Sequence, residues 1–293
     1  MTHINQNSLT EQEFLAQYNP GYYPRPSVAA DMVIFTVGSA PEPNYRKLPE
    51  KELRVLLIRR GGHPHLGKWA LPGGFVRPRE TVGEAALREL REETGVESAY
   101  LEQLCTFSEP DRDPRTWVMS CAHMALMDGE GIQLSAGDDA SDARWFRIKY
   151  TLLEESKTVS PSGSTCTQLW QLELTEGDTV LFAKVRQTSG QQGDEITLTE
   201  NDGLAFDHAK IIAYAIHRLR NKVEYTDLAL NLMPERFTLT ELQQVYEVIL
   251  GEPLYKAAFR RKIKDLVRET GEYIENAGHR PSQLFRRYWE ESR

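Results

Sequence analysis

The sequence predicts an α/β domain followed by a smaller helix-turn-helix domain. Three observations support this prediction. Apolar runs rich in β-branched residues recur between residues 28 and 146, and such runs are typical of strands. A helix with clear start and stop signals lies among them, between Thr81 and Gly95. After residue 225 the pattern changes to two helices separated by a turn, with two short strand-like runs behind them.

Composition divides the chain into three parts. Its 293 residues exceed the usual size of one domain. Residues 1–26 are polar and then aromatic, and we expect them to lie as an arm on the surface. Residues 27–224 hold the α/β pattern, and residues 225–293 form the C-terminal domain. Strands are predicted at 28–37, 53–58, 101–107, 117–126 and 144–146.

Residues 154–203 form an insertion in the α/β pattern. Two apolar runs, 169–174 and 180–185, predict two short strands in a surface hairpin. Asp207 then precedes an apolar periodic stretch and is predicted to cap a helix over 208–219.

The C-terminal part predicts helix, turn, helix and wing. Thr238 and Glu241 have the spacing of a capping box, and Gly251 marks the end of that first helix. A second helix is predicted over 254–267. Two short strands, at 273–274 and 284–285, would form the wing.

Bulk composition excludes several kinds of protein. The chain is 40% apolar, which supports packed cores, and its net charge of −8 disfavours indiscriminate nucleic-acid binding. Residues 225–293 are charge-balanced, so the excess acid lies before them. Cys105, Cys121 and Cys166 are too widely spaced for a disulfide framework or a zinc site and predict reduced thiols. Without a signal peptide or a run of about 20 apolar residues, we expect a soluble, cytoplasmic protein with no membrane partner.

Residues 74–96 carry a motif that points to one chemistry. They follow the spacing G-x5-E-x7-R-E-U-x-E-E-x-G-U, where U is apolar, with no position missing. The fixed positions are Gly74, Glu80, Arg88, Glu89, Glu92, Glu93 and Gly95. Glu89, Glu92 and Glu93 recur at helical spacing within an arc of roughly 100°. Three carboxylates on one face repel each other, and a divalent cation such as Mg²⁺ or Mn²⁺ would relieve that repulsion through hard oxygen ligands.

The alternative is a solvated acidic helix face, which is the usual meaning of a glutamate-rich helix. The other fixed positions of the motif favour the metal site over that alternative. Arg88 can pair with a neighbouring glutamate and hold it. Gly73 and Gly74 leave a bare backbone that can approach a phosphate or offer a carbonyl oxygen to a metal.

The motif and the segment 68–76 that leads into it resemble the Nudix hydrolase superfamily. The resemblance implies an α/β/α sandwich around a mixed sheet. It implies that Glu89, Glu92 and Glu93 are metal ligands, that Glu89 or Glu93 orients the attacking water, and that the Gly74 region contributes a carbonyl. Glu80 and Arg88 would support this geometry. A further metal carboxylate is left open among Glu109, Asp138 and Asp139.

Segments 108–115, 136–146 and 204–208 resemble Nudix members directed at ADP-ribose and the Nudix-related transcriptional regulators of NAD metabolism. Arg112 and Arg115 are candidate substrate-binding residues because guanidinium groups match phosphate oxygens. The alternative for both is a surface loop with ion pairs to Asp111 and Asp113.

The C-terminal segment resembles the winged helix of the same regulators. A recognition helix in a DNA major groove would use Lys256, Arg260, Arg261 and Lys264, which fit one side of the second helix. The alternative is an ordinary amphipathic helix with a charged face. If operator DNA is read as a palindrome, we expect a homodimer.

Two functions follow from these resemblances. The first is Mg²⁺-dependent hydrolysis of the pyrophosphate in ADP-ribose or a related nucleoside diphosphate sugar. The second is a transcriptional regulator whose Nudix domain senses ADP-ribose. The motif of residues 74–96 is often eroded in these regulators. It is intact here, which favours an active hydrolase that is coupled to DNA binding.

Overall fold

A computed structural model gives the fold. It describes residues 9–41, 44, 48–97, 99–129, 132, 134, 140–160, 163–191, 193–274 and 281–288. The helices are α1 (Glu11–Gln17), α2 (Val82–Thr94), α3 (His208–Val223), α4 (Leu239–Leu250) and α5 (Lys256–Ile263), with 3-10 turns at Pro20–Tyr22 and Leu228–Leu232. None of the helices in these ranges is long and apolar enough to span a membrane.

Ten strands form one large sheet and two more form a separate ribbon. The ten are β1 (Ser27–Ser39), β2 (Lys51–Arg60), β3 (Trp69–Ala70), β4 (Gly73–Phe75), β5 (Tyr100–Phe107), β6 (Val118–Leu126), β7 (Ala140–Ser160), β8 (Gly163–Glu176), β9 (Thr179–Gly190) and β10 (Gly193–Asp202). The ribbon pairs β11 (Val267–Ile274) with β12 (Ser282–Arg287).

The large sheet is mixed, and it has helices on both faces. Its order is β10-β9-β8-β7-β2-β1-β6-β5, with β3 beside β2 and β4 beside β1. β1 and β6 run parallel, while the other pairs are antiparallel. Helix α2 packs on one face through Leu90, Ala85 and Ala86, and α3 belongs to the core on the other face. The predicted α/β/α sandwich with a mixed sheet is therefore confirmed.

The insertion differs from the prediction. Instead of two short strands, four long antiparallel strands, β7 to β10, extend the sheet on one side. The prediction of a short strand at 144–146 was also wrong, since β7 continues to Ser160. From residue 151 onward every residue of β7 is exposed, so the apolar alternation that reveals a half-buried strand is missing there.

The C-terminal domain has the predicted order of two helices and a wing. The Thr238 side chain and Glu241 form the reciprocal capping box, and Gly251 ends α4 in the left-handed conformation at φ 78°. Helix α5 ends at Ile263, earlier than predicted. Val267 is buried and pairs with Arg287, so the chain has already turned into the wing there.

One hydrophobic core joins the two main parts of the chain. It contains residues of β2, such as Val55 and Leu57, together with Ile216 of α3, Leu242 of α4 and Phe259 of α5. The Gln244 side chain of α4 also donates to the backbone carbonyl of Pro49 at 3.4 Å. The C-terminal helices therefore pack directly on the sheet that carries the Nudix motif.

Candidate functional site

Helix α2 begins and ends where the sequence predicts. The Thr81 backbone N–H donates to the Glu84 carboxylate at 2.7 Å, and the Glu84 N–H donates to the Thr81 hydroxyl at 3.2 Å. Gly95 closes the helix at φ 69°. Because both ends are fixed and Leu90 is fully buried, the rotation of the carboxylate face is determined by packing.

The three glutamates of the motif do not share one environment. Glu89 and Glu93 are buried, with 7% and 5% of their surface exposed, whereas the side chain of Glu92 is 47% exposed. Burial raises the pKa of Glu89, although the Arg88 guanidinium opposes that effect. A solvated acidic face therefore does not describe this helix, because two of its three carboxylates lie inside the protein.

Arg88 holds the carboxylates together. Its Nε donates to Glu80 at 2.8 Å, and its Nη1 donates to Glu89 at 2.5 Å and to Glu92 at 3.4 Å. Its Nη2 reaches the backbone carbonyl of Phe75 at 3.3 Å. The hydrogen bond from Arg88, with a second from the Arg77 backbone, lowers the pKa of Glu80 to about 2. These contacts fit the supporting role predicted for Glu80 and Arg88.

Both glycines before the helix lie in close contact with their neighbours. A Cβ on Gly74 would lie 2.2 Å from the Glu89 Oε1 atom. A Cβ on Gly73 would lie 2.6 Å from the Ala30 carbonyl and 2.8 Å from an Asp31 carboxylate oxygen. Strand β4 therefore packs directly against α2 and β1, and its glycine backbone lies beside the carboxylates of Glu89 and Asp31.

The donor set suits a hard divalent cation in its chemistry, because Glu89, Glu92 and Glu93 offer oxygen ligands on one helix. Within the part of the chain that the structure describes, no group of three His, Cys, Asp or Glu side chains stands close enough to hold a metal ion. Arg88 binds Glu89 and Glu92 instead, so a cation would require these carboxylates to turn away from the guanidinium. The assignment of the three glutamates as ligands remains a prediction.

The open candidates for a further carboxylate have different settings. Glu109 is bound by the ammonium of Lys210 in α3. That hydrogen bond lowers the pKa of Glu109, although burial alone would raise it. Asp138 and Asp139 lie outside the described residues.

Arg112 is more deeply buried than its predicted role in substrate binding requires. Only 4% of its side chain is exposed, and it forks onto Asp207 with distances of 3.0 and 2.7 Å. A third bond reaches Asp31 at 3.3 Å. Arg112 therefore forms its ion pairs with two aspartates that are distant in sequence, and not with Asp111 or Asp113 as the alternative had it. Asp207 occupies the predicted N-cap position of α3, but its carboxylate binds Arg112 and makes no capping hydrogen bond.

Arg115 lies at the surface beside the motif. Its side chain is 43% exposed and forks onto the buried Asp113, with 2.7 Å between Nη2 and Oδ2. Burial alone would raise the pKa of Asp113, but the bonds from Arg115 lower it. The guanidinium carbon lies 5.4 Å from the centre of the Phe75 ring and 5.8 Å from that of Phe206. Arg115 thus borders the first residue after Gly74.

Two residues outside the predicted set of site residues line the same edge. His65 and Phe206 both have left-handed backbones, at φ 61° and 51°, and their rings meet edge to face at 4.6 Å. Arg60 also lies over the Phe206 ring at 5.1 Å. Positive φ in non-glycine residues is concentrated at functional sites. Phe206 belongs to the segment 204–208 whose pattern the sequence did show.

The predicted DNA-binding residues lie on α5 and just beyond it. Lys256, Arg260, Arg261 and Lys264 are all exposed, whereas Phe259 and Ile263 of the same segment are buried. Lys264 follows the last turn of the helix. The four cations therefore project away from the domain core.

A groove of about 850 Å³ lies between the start of α4, α5 and the wing. Arg260, Lys264 and Arg268 line it, together with Thr238, Gln283 and the acidic Glu269. Its walls place cations beside hydroxyl and amide groups, the kinds of group that contact a nucleic-acid backbone.

Comparison with known proteins identifies relatives of both parts. The model of the NUDIX domain matches residues 48–161, and that of the NrtR DNA-binding winged helix domain matches residues 229–287. The chain is 35% identical to the ADPR responsive transcriptional repressor NtrR of Acinetobacter baylyi, over 96% of this chain and 89% of the repressor. It is 42% identical to the ADP-ribose pyrophosphatase of Methanocaldococcus jannaschii, over 43% of this chain and 64% of that enzyme.

Two solved structures share the architecture. A MutT/nudix family protein from Enterococcus faecalis superposes with a TM-score of 0.68 at 31% identity, covering 96% of this chain and 94% of that one. NrtR of Shewanella oneidensis in complex with a 27mer DNA superposes with a TM-score of 0.60 at 29% identity, covering 89% of this chain and 93% of that one.

Proposed function

Because the chain belongs to the family of Nudix proteins with an NrtR-type winged helix, we propose that it is a DNA-binding regulator that responds to an ADP-ribose-type nucleotide. One observation carries this proposal: the chain combines the site at the motif with an exposed basic helix, and its similarity to the repressor covers both over nearly the whole chain. The similarity to the repressor covers 96% of this chain, whereas the similarity to the pyrophosphatase covers 43% of it. For this reason we place regulation before hydrolysis.

The ligand site proposed for the nucleotide lies along β4 and its rim. Glycine at positions 73 and 74 lets β4 lie in close contact with Glu89 and Asp31, so the proposed diphosphate site adjoins the carboxylates of the motif. Arg115 is exposed and adjacent, and its guanidinium can fork onto phosphate oxygens. Phe206 and Phe75 supply apolar surface next to it. Arg112 supports the site from below, since it is buried in ion pairs of its own.

The DNA site proposed for the regulator is the outer side of α5 with the adjoining groove. Lys256, Arg260, Arg261 and Lys264 would contact phosphates and base edges of an operator. We expect a homodimer, because regulators that place one such helix in each major groove commonly read palindromic sites.

A mobility shift with DNA from upstream of the protein's own gene tests the regulator. The protein should retard this DNA at low salt, and ADP-ribose should release it. Arg260→Ala should weaken binding by about tenfold or more. Arg186→Ala is the control, since Arg186 is an exposed cation on β9, outside the winged-helix domain. No shift on any genomic fragment would refute the DNA-binding role.

A second function, hydrolysis of the bound pyrophosphate, is favoured by the complete motif and by the burial of Glu89 and Glu93. Water would convert ADP-ribose to AMP and ribose 5-phosphate. Glu89, Glu92 and Glu93 would hold Mg²⁺ or Mn²⁺, which supplies charge screening and a more acidic water when bound. Arg88 and Glu80 position these carboxylates, and Glu89 or Glu93 would orient the attacking water.

Release of AMP from ADP-ribose in the presence of magnesium tests the hydrolase. Glu92→Gln and Glu93→Gln should each lower the rate by about a hundredfold or more. Glu97→Gln is the matched control, because Glu97 is exposed just beyond the helix and pairs only with Arg91 among the ion pairs described. Full activity in both motif variants would rule out the assigned ligands.

A further inference from the structure

Helix α3 begins next to the segment that leads into the motif. His208, its first residue, accepts a hydrogen bond at Nδ1 from the backbone N–H of Leu71, at 2.8 Å. Burial lowers the pKa of His208, and because Nδ1 accepts this bond, the proton of the ring lies on Nε2. That nitrogen faces the Asp31 carboxylate at 3.8 Å. The first turn of α3 is thereby tied to the chain two residues before Gly73.

Arg112 makes a second tie at this end. It binds Asp207, the residue before α3, and Asp31 of β1 at the same time. Asp31 is the register partner of Gly73, and a carboxylate oxygen of Asp31 lies 2.8 Å from the position that a Cβ on Gly73 would take. A shift of the glycine segment toward a bound diphosphate would therefore move Asp31, and with it Arg112 and the start of α3.

The other end of α3 is tied to the DNA-binding domain. The Arg220 Nε donates to the carbonyl of Ile249 in the last turn of α4, at 2.9 Å. The Lys262 ammonium, on α5, donates to the carbonyl of Val223, the last residue of α3, at 3.0 Å. Arg220 is itself clamped over the stacked rings of Tyr150 and Trp170, which restricts its movement.

The body between the two ends is rigid. Ile211, Ile212, Ala215, Ile216 and Leu219 are all buried, so one continuous stripe of the helix is packed in the core. A packed helix of 16 residues spans about 24 Å and moves as a unit rather than bending locally. A displacement of the first turn of α3 therefore also displaces its last turn.

Lys262 is well placed to receive this displacement without itself reading DNA. It lies about 200° around the helix from Arg260, on the side that faces α3. Its ammonium also lies 5.0 Å from the centre of the buried Tyr246 ring in α4. One side chain therefore joins all three helices behind the basic surface.

We propose that α3 couples the nucleotide site to the recognition helix, with Arg112 as the positioning residue at the ligand end and Lys262 as the one at the DNA end. This inference rests on the proposed function and specifies how the nucleotide regulates DNA binding. It assigns no ligand contact to either residue.

Lys262→Met tests the DNA end, and Lys222→Met is its matched control. Lys222 lies on the last turn of α3, but it binds Glu102 of β5 at 2.7 Å rather than the winged helix. Both variants lose one lysine charge from the same region, and only the first removes the hydrogen bond between α5 and α3. The probes are operator duplex and ADP-ribose with a methylene group in place of the bridging oxygen, which a hydrolase cannot cleave.

The measured quantity is the ratio of DNA dissociation constants with and without saturating analogue. We expect about tenfold for wild type and for Lys222→Met, and a clearly smaller ratio for Lys262→Met, in which only the Arg220 tie to α4 remains. Affinity for the analogue in the absence of DNA should be the same in all three, since Lys262 lies at the far end of α3. DNA must weaken analogue binding in the wild type by the same factor, because coupling is reciprocal.

The possible failures are distinguishable. A wild-type ratio retained in Lys262→Met refutes the α3 link and leaves the regulator standing. A wild type that binds both ligands with no mutual effect also refutes the link, because there is no coupling to carry. A wild type that binds no analogue refutes the proposed function as well. If Lys262→Met has lost its thermal transition, Arg220→Lys, which keeps the charge but shortens the reach to Ile249, gives the same comparison.

Discussion

Replacing Gly74 by alanine should remove function while leaving the fold in place. The added methyl carbon would lie 2.2 Å from Glu89 Oε1 and 3.0 Å from its carboxyl carbon. Ordinary contact begins at 3.4 Å. The carboxylate must therefore retreat by about 1.2 Å, a movement large enough to break its 2.5 Å bond to Arg88.

The size of the effect follows from which atoms must move. The clashing oxygen is the end of a flexible side chain, so backbone strain is small, and we expect a loss of about 1–2 kcal/mol in the free energy of unfolding. Function is more sensitive, because a misplacement of about 1 Å in a catalytic group can lower a rate about a hundredfold.

Two measurements separate these effects, namely the rate of AMP release from ADP-ribose with magnesium and the midpoint of urea unfolding. Gly83→Ala is the matched control, since a Cβ there meets nothing within 4 Å and the position is helical. Alanine at Gly83 should leave the rate unchanged and raise stability by up to about 1 kcal/mol. If Gly74→Ala keeps the wild-type rate, the close approach of β4 to Glu89 has no part in the chemistry.

Three further predictions concern stability and DNA binding. Gly95→Ala should cost about 1 kcal/mol in urea unfolding, because its φ of 69° is unfavourable for alanine while its Cβ would meet no atom; an unchanged midpoint would contradict this. Burial lowers the pKa of His217 from 6.5 to about 4, so the unfolded chain takes up the proton at a higher pH than the folded one. The free energy of unfolding is therefore highest above pH 6.5 and falls between pH 6.5 and 4, by at most about 3 kcal/mol. His217→Gln should flatten a thermal-melt profile over that window, apart from the contributions of His208 and His123, whose pKa values burial also lowers; a profile as steep as wild type would refute it. Lys256→Ala should reduce the slope of log K for DNA against log salt by about one unit, and an unchanged slope would remove Lys256 from the phosphate contacts.

The Nudix helix could be predicted closely because its signals are local. The Thr81–Glu84 capping box and the Gly95 stop need only neighbouring residues, and both appear as expected. The same holds for Thr238 and Gly251 in α4. Caps and left-handed glycines are determined by hydrogen bonds within one turn, so sequence spacing is enough to find them.

Residues whose partners are distant in sequence could not be placed. Arg112 binds Asp207, 95 residues away, rather than an aspartate beside it, and no spacing rule contains that pairing. The lengths of strands β7 to β10 were not predicted, for a different reason. Much of β7 is exposed on both faces, so the alternation that marks a half-buried strand does not arise there.

The hydrophobic core that runs from β2 through α3 into α4 and α5 bears on how this protein can be divided in the laboratory. A cut near residue 225 would leave Leu219 and Val223 on one piece and Leu242 and Phe259 on the other, each stripped of its buried neighbours. The intact chain should melt as a single cooperative unit, and separately expressed halves should aggregate unless they are produced together. Quantitative work on either activity should therefore use the full polypeptide.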